Sequence, residues 1–218
     1  MLFRSPALAS TKPWPYLGVT LDQARECKRA YYAAISFVDA QIGRVLDAVD
    51  RLSLSDNTII VFFGDHGEAF LEHPNNLIHG AELYEENVRI PFVISNPKLT
   101  PRASTSKSLA SLVDVAPTLF DILGMPWDGS RYDGTSLFSA PPNRMVFMVS
   151  DLLGDKYGLR DGNYKFIHTP TSDSAYLFNL QEDPKETNNL GTQSPERKDF
   201  YVKAIQSWIN HTRRANAG

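Results

Sequence analysis

One cysteine, Cys27, stands in 218 residues. A single thiol excludes any internal disulfide framework and leaves the redox compartment open. Basic charge is scarce too. The 22 Lys and Arg against 25 Asp and Glu leave a net charge of −3, so there is no surplus for general nucleic-acid binding. No run reaches the roughly 18 apolar residues of a membrane span. MLFRSPALAS at the start is too short and broken for a signal peptide. Internal repeats and low-complexity tracts are missing, and no Asp-Asp pair occurs anywhere. What remains is 42% hydrophobic and 22% charged, the balance of an ordinary globular chain of one large or two small domains. The triplet Asn210-His211-Thr212 fits a glycosylation acceptor, but such triplets arise often by chance.

Residues 1–19 are Pro-rich without periodicity and read as an irregular arm. Thr20, with Gln23 three residues on, forms a capping-box pattern for a helix start. From Ala24 through Tyr31, Ile35, Val38, Ile42, Val45 and Val49 to Leu52, steps of three and four predict one long amphipathic helix. Cys27 falls on that helix, a position that predicts a core thiol. Thr58 to Phe63 then reads as a buried strand, and Ile90 to Ser95 as a second. Leu109 to Leu123 has helical character, with Pro117 in its first turn and Gly124 as a stop. Beyond a Gly/Pro/Ser-rich connector, RMVFMVS, YGLRDGNYKFIHT and AYLFNL read as three short strands, with Asp161-Gly162 marking a turn inside the middle one. Ser194-Pro195 starts a last helix facing inward through Tyr201, Ile205 and Trp208. This order predicts an α/β layer with an appended antiparallel subdomain.

The stretch FFGDHGEAFLEHPNNLIHG holds three of the five histidines. In an open α/β sheet ligands gather beyond the carboxyl ends of strands, and Asp65 and His66 sit at such an end. Gly64 and Gly67 let the backbone turn around them. A carboxylate beside an imidazole is half a donor set for a divalent cation, since zinc takes three or four ligands and calcium six or more oxygens. Equally, Asp65 can cap a local turn and His66 can be a surface histidine. Glu72, His73 and His79 are too irregularly spaced for a helical zinc pair. They reach the same place only if the loop folds back.

GDHGEAFLEH followed by HGAELYEENVRIPFVIS is similar to the segment of the sulfatase family, in the alkaline-phosphatase superfamily, that carries its second pair of metal ligands. VDAQIGRVLDAVDRLSLSDNTIIVFFGDHGE resembles the helix–strand unit before it, nearest the iduronate-sulfatase-like branch. SLVDVAPTLFDILG resembles the next helix, and LRDGNYKFIH with YLFNLQEDPKETNNL the C-terminal hairpin. The resemblance covers residues 20 to 210. It implies a partial alkaline-phosphatase-like α/β sandwich over 20–140, a small antiparallel β subdomain with a terminal helix over 141–218, and hydrolysis of sulfate esters, with a sulfated sugar as one candidate substrate. Asp65 and His66 match ligands of one divalent cation, commonly calcium. His79 lies near the family's Lys or His that contacts the sulfate or leaving group, where a cationic donor would stabilise developing negative charge. His73 and Glu68 are assigned to loop structure. An exported compartment, whether periplasmic, extracellular or lysosomal, follows from the same resemblance.

Two pieces of that pattern are missing. Sulfatases carry a Cys or Ser, converted to formylglycine, within Cys/Ser-x-Pro-x-Arg. Here Cys27 is followed by Lys28-Arg29-Ala30-Tyr31, and Thr11-Lys12-Pro13-Trp14-Pro15 lacks the Arg. The family's first acidic ligand pair is absent as well. The chain therefore reads as the C-terminal portion of a sulfatase, without turnover by itself. Two alternatives stand beside it: a phosphonate or phosphodiester hydrolase or phosphoglycerol transferase of the same superfamily, and a non-catalytic remnant.

Overall fold

The computed structural model describes residues 18–152 and 154–215. The irregular arm predicted for 1–19 lies, up to residue 17, outside the described residues. The chain divides into two compact units, one of residues 4–79 and 86–105, the other of 80–85 and 106–218.

The first unit opens with α1 (Leu21–Arg51), a helix of 31 residues. Thr20 caps it: its Oγ1 accepts from the Gln23 N–H, and the Gln23 side chain accepts from the Thr20 N–H at 2.9 Å. Arg51 in the last turn complements the helix dipole. Strands β1 (Ile60–Phe63) and β2 (Phe92–Ser95) form a two-stranded antiparallel sheet, pairing Ile60 with Ser95 and Phe63 with Phe92. Both are shorter than predicted. Pro91 has no N–H for a ladder, although its carbonyl still accepts from Gly64. Asn96 fastens the end of β2. Its Oδ1 accepts from the N–H groups of Lys98 and Leu99, and its Nδ2 donates to the Thr58 carbonyl.

Two expectations fail in this unit for a common reason. Thr58 to Phe63 was to be a buried strand, yet Phe62 and Phe63 of β1 are exposed. Cys27 was to be a core thiol, yet it is exposed. Both occupy apolar surfaces as the pattern requires, but among the described residues no layer covers those surfaces. Ala24 is the one buried residue of α1.

The single turn α2 (Glu85–Val88) lies between the strands in sequence. In the second unit, a 3₁₀ turn (Leu112–Asp114) leads into α3 (Val115–Ile122), so the helix predicted over 109–123 is confined to its second half. Asp114 sets that start. Its carboxylate accepts from Ser111 and Thr135 N–H groups and from both terminal nitrogens of Arg144, at 2.7–3.0 Å. Strands β3 (Met145–Ser150), β4 (Lys156–Asp161), β5 (Tyr164–Thr169) and β6 (Ser174–Asn179) form an antiparallel meander in sequence order. The middle predicted segment is thus two strands, folded at Gly162 with φ +56°. Helix α4 (Pro195–Ala215) buries Tyr201 and Ile205 against Leu159, Phe166 and Leu177, three residues in register across β4, β5 and β6. Phe147 stacks on Trp208 at 5.2 Å.

The opposite face of this sheet covers a charged cluster. Lys165, fully buried, lies 3.1 Å from Glu85 Oε1 and 3.0 Å from Glu186 Oε1. Glu186 Oε2 accepts from the Glu85 N–H at 2.6 Å, and Arg160 approaches Glu85 at 3.3 Å. Burial pushes the Glu186 carboxyl up, against the pull of Lys165. Further along, Lys156 pairs with Glu82 and donates to the Ala81 carbonyl, and the Ser150 hydroxyl donates to the Gly80 carbonyl.

Candidate active site

The apolar run of β1 ends at Gly64, and the next residues turn out of the ladder. The Gly67 N–H donates to the Asn87 carbonyl at 2.8 Å. A Cβ on Gly67 would lie 2.0 Å from the Glu86 carbonyl oxygen, so this crossing admits only glycine. Asp65 and His66 are presented on the turn so formed. Asp65 Oδ1 accepts from the His66 N–H at 2.9 Å, and its Oδ2 lies 3.6 Å from His66 Nε2. His66 Nδ1 is 2.8 Å from the Gly67 carbonyl. A carbonyl can only accept, so Nδ1 donates this bond and Nε2 is the nitrogen turned toward Asp65.

The loop beyond does fold back. Phe70 and Leu77 form an antiparallel bridge, the Leu71 N–H donates to the Asn76 carbonyl, and the Ile78 N–H to the Ala69 carbonyl. Three non-glycine residues, Leu71, Asn75 and Ile78, take positive φ of 62–70° to close it. The result brings the His79 ring onto that of His66, stacked at 4.0 Å and 23°. His79 Nδ1 lies 2.9 Å from Glu68 Oε2. Glu68 is mostly buried, and its Oε1 has no hydrogen-bond partner among the described residues. Asp65 is open to solvent, its side chain 83% exposed.

Polar contacts hold the loop from within. Glu86 Oε1 lies 2.6 Å from His73 Nδ1 and accepts from Asn76 Nδ2 at 2.8 Å. Asn76, fully buried, also donates to Asn87 Oδ1, and Asn87 Nδ2 donates to the Ile78 carbonyl. Lys28 of α1 pairs with Glu72 at 2.7 Å. Burial opposes ionisation of Glu72, but hydrogen bonds from Lys28 and the Phe70 N–H outweigh it and hold the carboxyl below its ordinary value.

The three residues picked from the sequence, Asp65, His66 and His79, thus share one exposed shelf. Among the described residues, no three His, Cys, Asp or Glu side chains gather closely enough to enclose a metal ion. Asp65 and His66 nevertheless fit two adjacent ligand positions, with His66 Nε2 and an Asp65 carboxylate oxygen 3.6 Å apart. Sequence spacing did not reveal the Asn76–Glu86–Asn87 cluster or the Glu68 contact to His79. Their partners lie 9 to 13 residues apart across a loop with no glycine at its strained positions.

The sulfatase family model matches residues 11–125. The chain belongs to the sulfatase family. It is 30% identical over 210 residues to arylsulfatase K of Xenopus laevis, a match covering 88% of this chain and 39% of that protein. It is also 30% identical over 181 residues to the choline-sulfatase of Rhizobium meliloti, covering 79% and 34%. This sulfatase-family chain therefore spans well under half the length of these curated relatives. Among solved structures, a Bacteroides fragilis protein assigned to the sulfatases superposes with a TM-score of 0.76 at 27% identity, over 90% of this chain and 45% of that one. A second, solved in complex with its substrate D-glucosamine-2-N,6-O-disulfate, gives 0.68 at 26%, over 88% and 41%. The mixed helix–sheet architecture is that of a partial alkaline-phosphatase-like α/β fold.

Proposed function

We propose that the chain is the C-terminal portion of a sulfuric ester hydrolase of the formylglycine, divalent-metal type. The observation that carries the reading is the stack of His79 on His66 beside Asp65. Asp65 and His66 would hold one divalent cation, calcium by family, which supplies positive charge at the sulfate oxygens. His79 is the anion contact: its Nδ1 is taken up by Glu68, which leaves Nε2 as the ring nitrogen to meet a sulfate oxygen. Glu68, His73 and Glu86 keep that ring in place and touch no substrate.

The nucleophile and the first acidic ligand pair belong to sequence this chain does not contain, so no turnover is expected from it alone. The substrate we favour is a sulfated sugar, as bound by the structural neighbour above, with an affinity for the iduronate-sulfatase-like branch. An exported compartment goes with that reading; among the described residues, no helix is long and apolar enough to cross a membrane.

Calcium titration of the 218-residue chain, followed by NMR at residues 64–68, tests the site. Weak saturable shifts, lost in Asp65→Asn and His66→Ala, are the expected result. Shifts that survive both variants, or none at all, would remove the metal assignment. Assays with aryl sulfate, sulfated glucosamine and a phosphodiester should all read zero, and hydrolysis of any of them would overturn the incomplete-site account.

A further inference from the structure

Residues 80–85 belong to the unit of the four-stranded sheet, whereas 79 and 86, their neighbours in the chain, belong to the other. Along β4, Lys156, Gly158 and Arg160 share one face, because alternate residues of a strand point the same way. Cross-strand pairing puts Ser150 of β3 beside Lys156, and Lys165 of β5 between Arg160 and Phe178 of β6. The six residues follow this face in order. The Gly80 carbonyl accepts from the Ser150 hydroxyl, and the Ala81 carbonyl from Lys156 Nζ at 3.0 Å. Lys156 also pairs with Glu82. A Cβ on Gly158 would lie 3.1 Å from Leu83 Cδ1, so Leu83 packs where that strand has no side chain. The Tyr84 ring lies 6.2 Å from that of Phe178, and Glu85 meets Lys165 and Arg160. Residues 80–85 are thus a strap gripped along its whole length.

Both ends of the strap continue into the site loop. His79 precedes Gly80, and Glu86, which braces His73 and Asn76, follows Glu85. The His79 side chain is half exposed, so burial does not fix its ring. It stands between two left-handed residues, Ile78 at φ +70° and Gly80 at φ +84°. On the Ile78 side the hold lies within the loop: its N–H donates to the Ala69 carbonyl, and its carbonyl accepts from Asn87 Nδ2. On the other side comes a glycine, which can take many backbone conformations. There the first anchor is the Gly80 carbonyl, held by the buried Ser150 hydroxyl. A freely turning glycine beside an exposed ring makes that anchor the point where the ring's position is set.

We propose that Ser150, backed by Lys156 and Lys165 further along the strap, is a positioning residue for the His79 ring. The proposal deepens the reading of His79 as the anion contact, and Ser150 acts on that contact through the peptide bond between His79 and Gly80. Letting Gly80 turn would carry Nε2 away from the sulfate oxygen, and a displacement of about 1 Å at such a contact costs about a hundredfold in rate. Simple packing predicts something else. Losing the hydroxyl would then soften the strap and leave the two stacked rings where they are.

Imidazole NMR of the 218-residue chain at one fixed pH reads the stack directly, because each ring shifts the Cε1–H signal of the other. In Ser150→Ala both signals should move toward those of an unstacked imidazole. Amides of residues 81–85 should exchange about tenfold faster, the scale of one lost hydrogen bond. Unchanged exchange at Phe166 and Ile167 in β5 shows that the sheet is folded. Ser150→Thr keeps the hydroxyl and should restore both ring signals. Should Ser150→Ala lose the β5 protection, Lys156→Met takes its place: it releases Glu82 and the Ala81 carbonyl and should move the same signals. Ring signals unmoved in the folded variant overturn the proposal, and so does a movement that Ser150→Thr fails to reverse. Inorganic sulfate separates this positioning from the chemistry it serves. Sulfate should shift the His79 signals in the parent and in Ser150→Thr at lower concentration than in Ser150→Ala. A parent indifferent to sulfate removes the anion contact, while a stack that still depends on the Ser150 hydroxyl leaves the positioning intact.

Discussion

Gly67 shows how little room the site leaves at a single atom. Its missing Cβ is what lets the Asp-His turn pass the Glu86 carbonyl. Gly67→Ala must push one of two backbones aside, so it should cost about 1–3 kcal/mol and shift the NMR signals of Asp65 and His66; an unchanged urea midpoint would contradict the crossing. Tyr201 is informative in another way. Burial first, then its hydrogen bond to Asp161 at 2.8 Å, pushes the phenol up to about 12. In the unfolded chain a tyrosine loses its proton near 10. The folded value is the higher one, so the stabilisation is complete below pH 10 and is lost as pH rises through 12. Tyr201→Phe should cost about 1.5–3 kcal/mol at neutral pH, and the gap between variant and parent in denaturant melts should close between pH 10 and 12.

At the scale of elements, the buried Lys165 joins two stretches far apart in sequence, Glu85 of LYEE and Glu186 of DPKETNNL. Glu186 adopts φ +53° to reach it, a conformation a non-glycine residue keeps only when its surroundings enforce it. Lys165→Met takes the buried cation from Glu186, while Glu85 keeps Arg160, and should cost about 3–5 kcal/mol, read by urea unfolding; the double variant with Glu186→Gln should recover part of that loss. Little of this could be read beforehand. Period-two alternation in YKFIHT shows that Lys165 faces away from Phe166, but both faces of this sheet are covered, which alternation cannot reveal. The elements with local signals were legible: the Thr20–Gln23 box, the Asp161-Gly162 turn and the Ser194-Pro195 helix start. The site was half legible. Adjacency gave Asp65 and His66, whereas the approach of His79 depends on left-handed backbone at Leu71, Asn75 and Ile78, of which only Asn75 is a residue type that marks turns.

Across the whole molecule the buried apolar residues are unevenly shared. Leu159, Phe166, Ile167, Leu177, Phe178, Tyr201 and Ile205 belong to the unit of the four-stranded sheet, whereas the unit bearing the Asp-His turn buries Ala24, Ala69 and Leu77. Local stability follows buried contact. Amides of β4 and β5 should therefore exchange at least a hundredfold more slowly than those in the middle of α1, by hydrogen exchange of the isolated chain, and similar rates would refute the asymmetry. Sequence periodicity showed which side of α1 is apolar and could not say whether anything covers it, which is why Cys27 was misplaced. That exposed thiol is useful in its own right. It precedes Val45 by eighteen residues, about five helical turns, so it has the same bearing on the bare stripe. A fluorophore on this native sulfur would need no engineered anchor, and its colour and brightness would report, in real time, when water leaves that side of the helix.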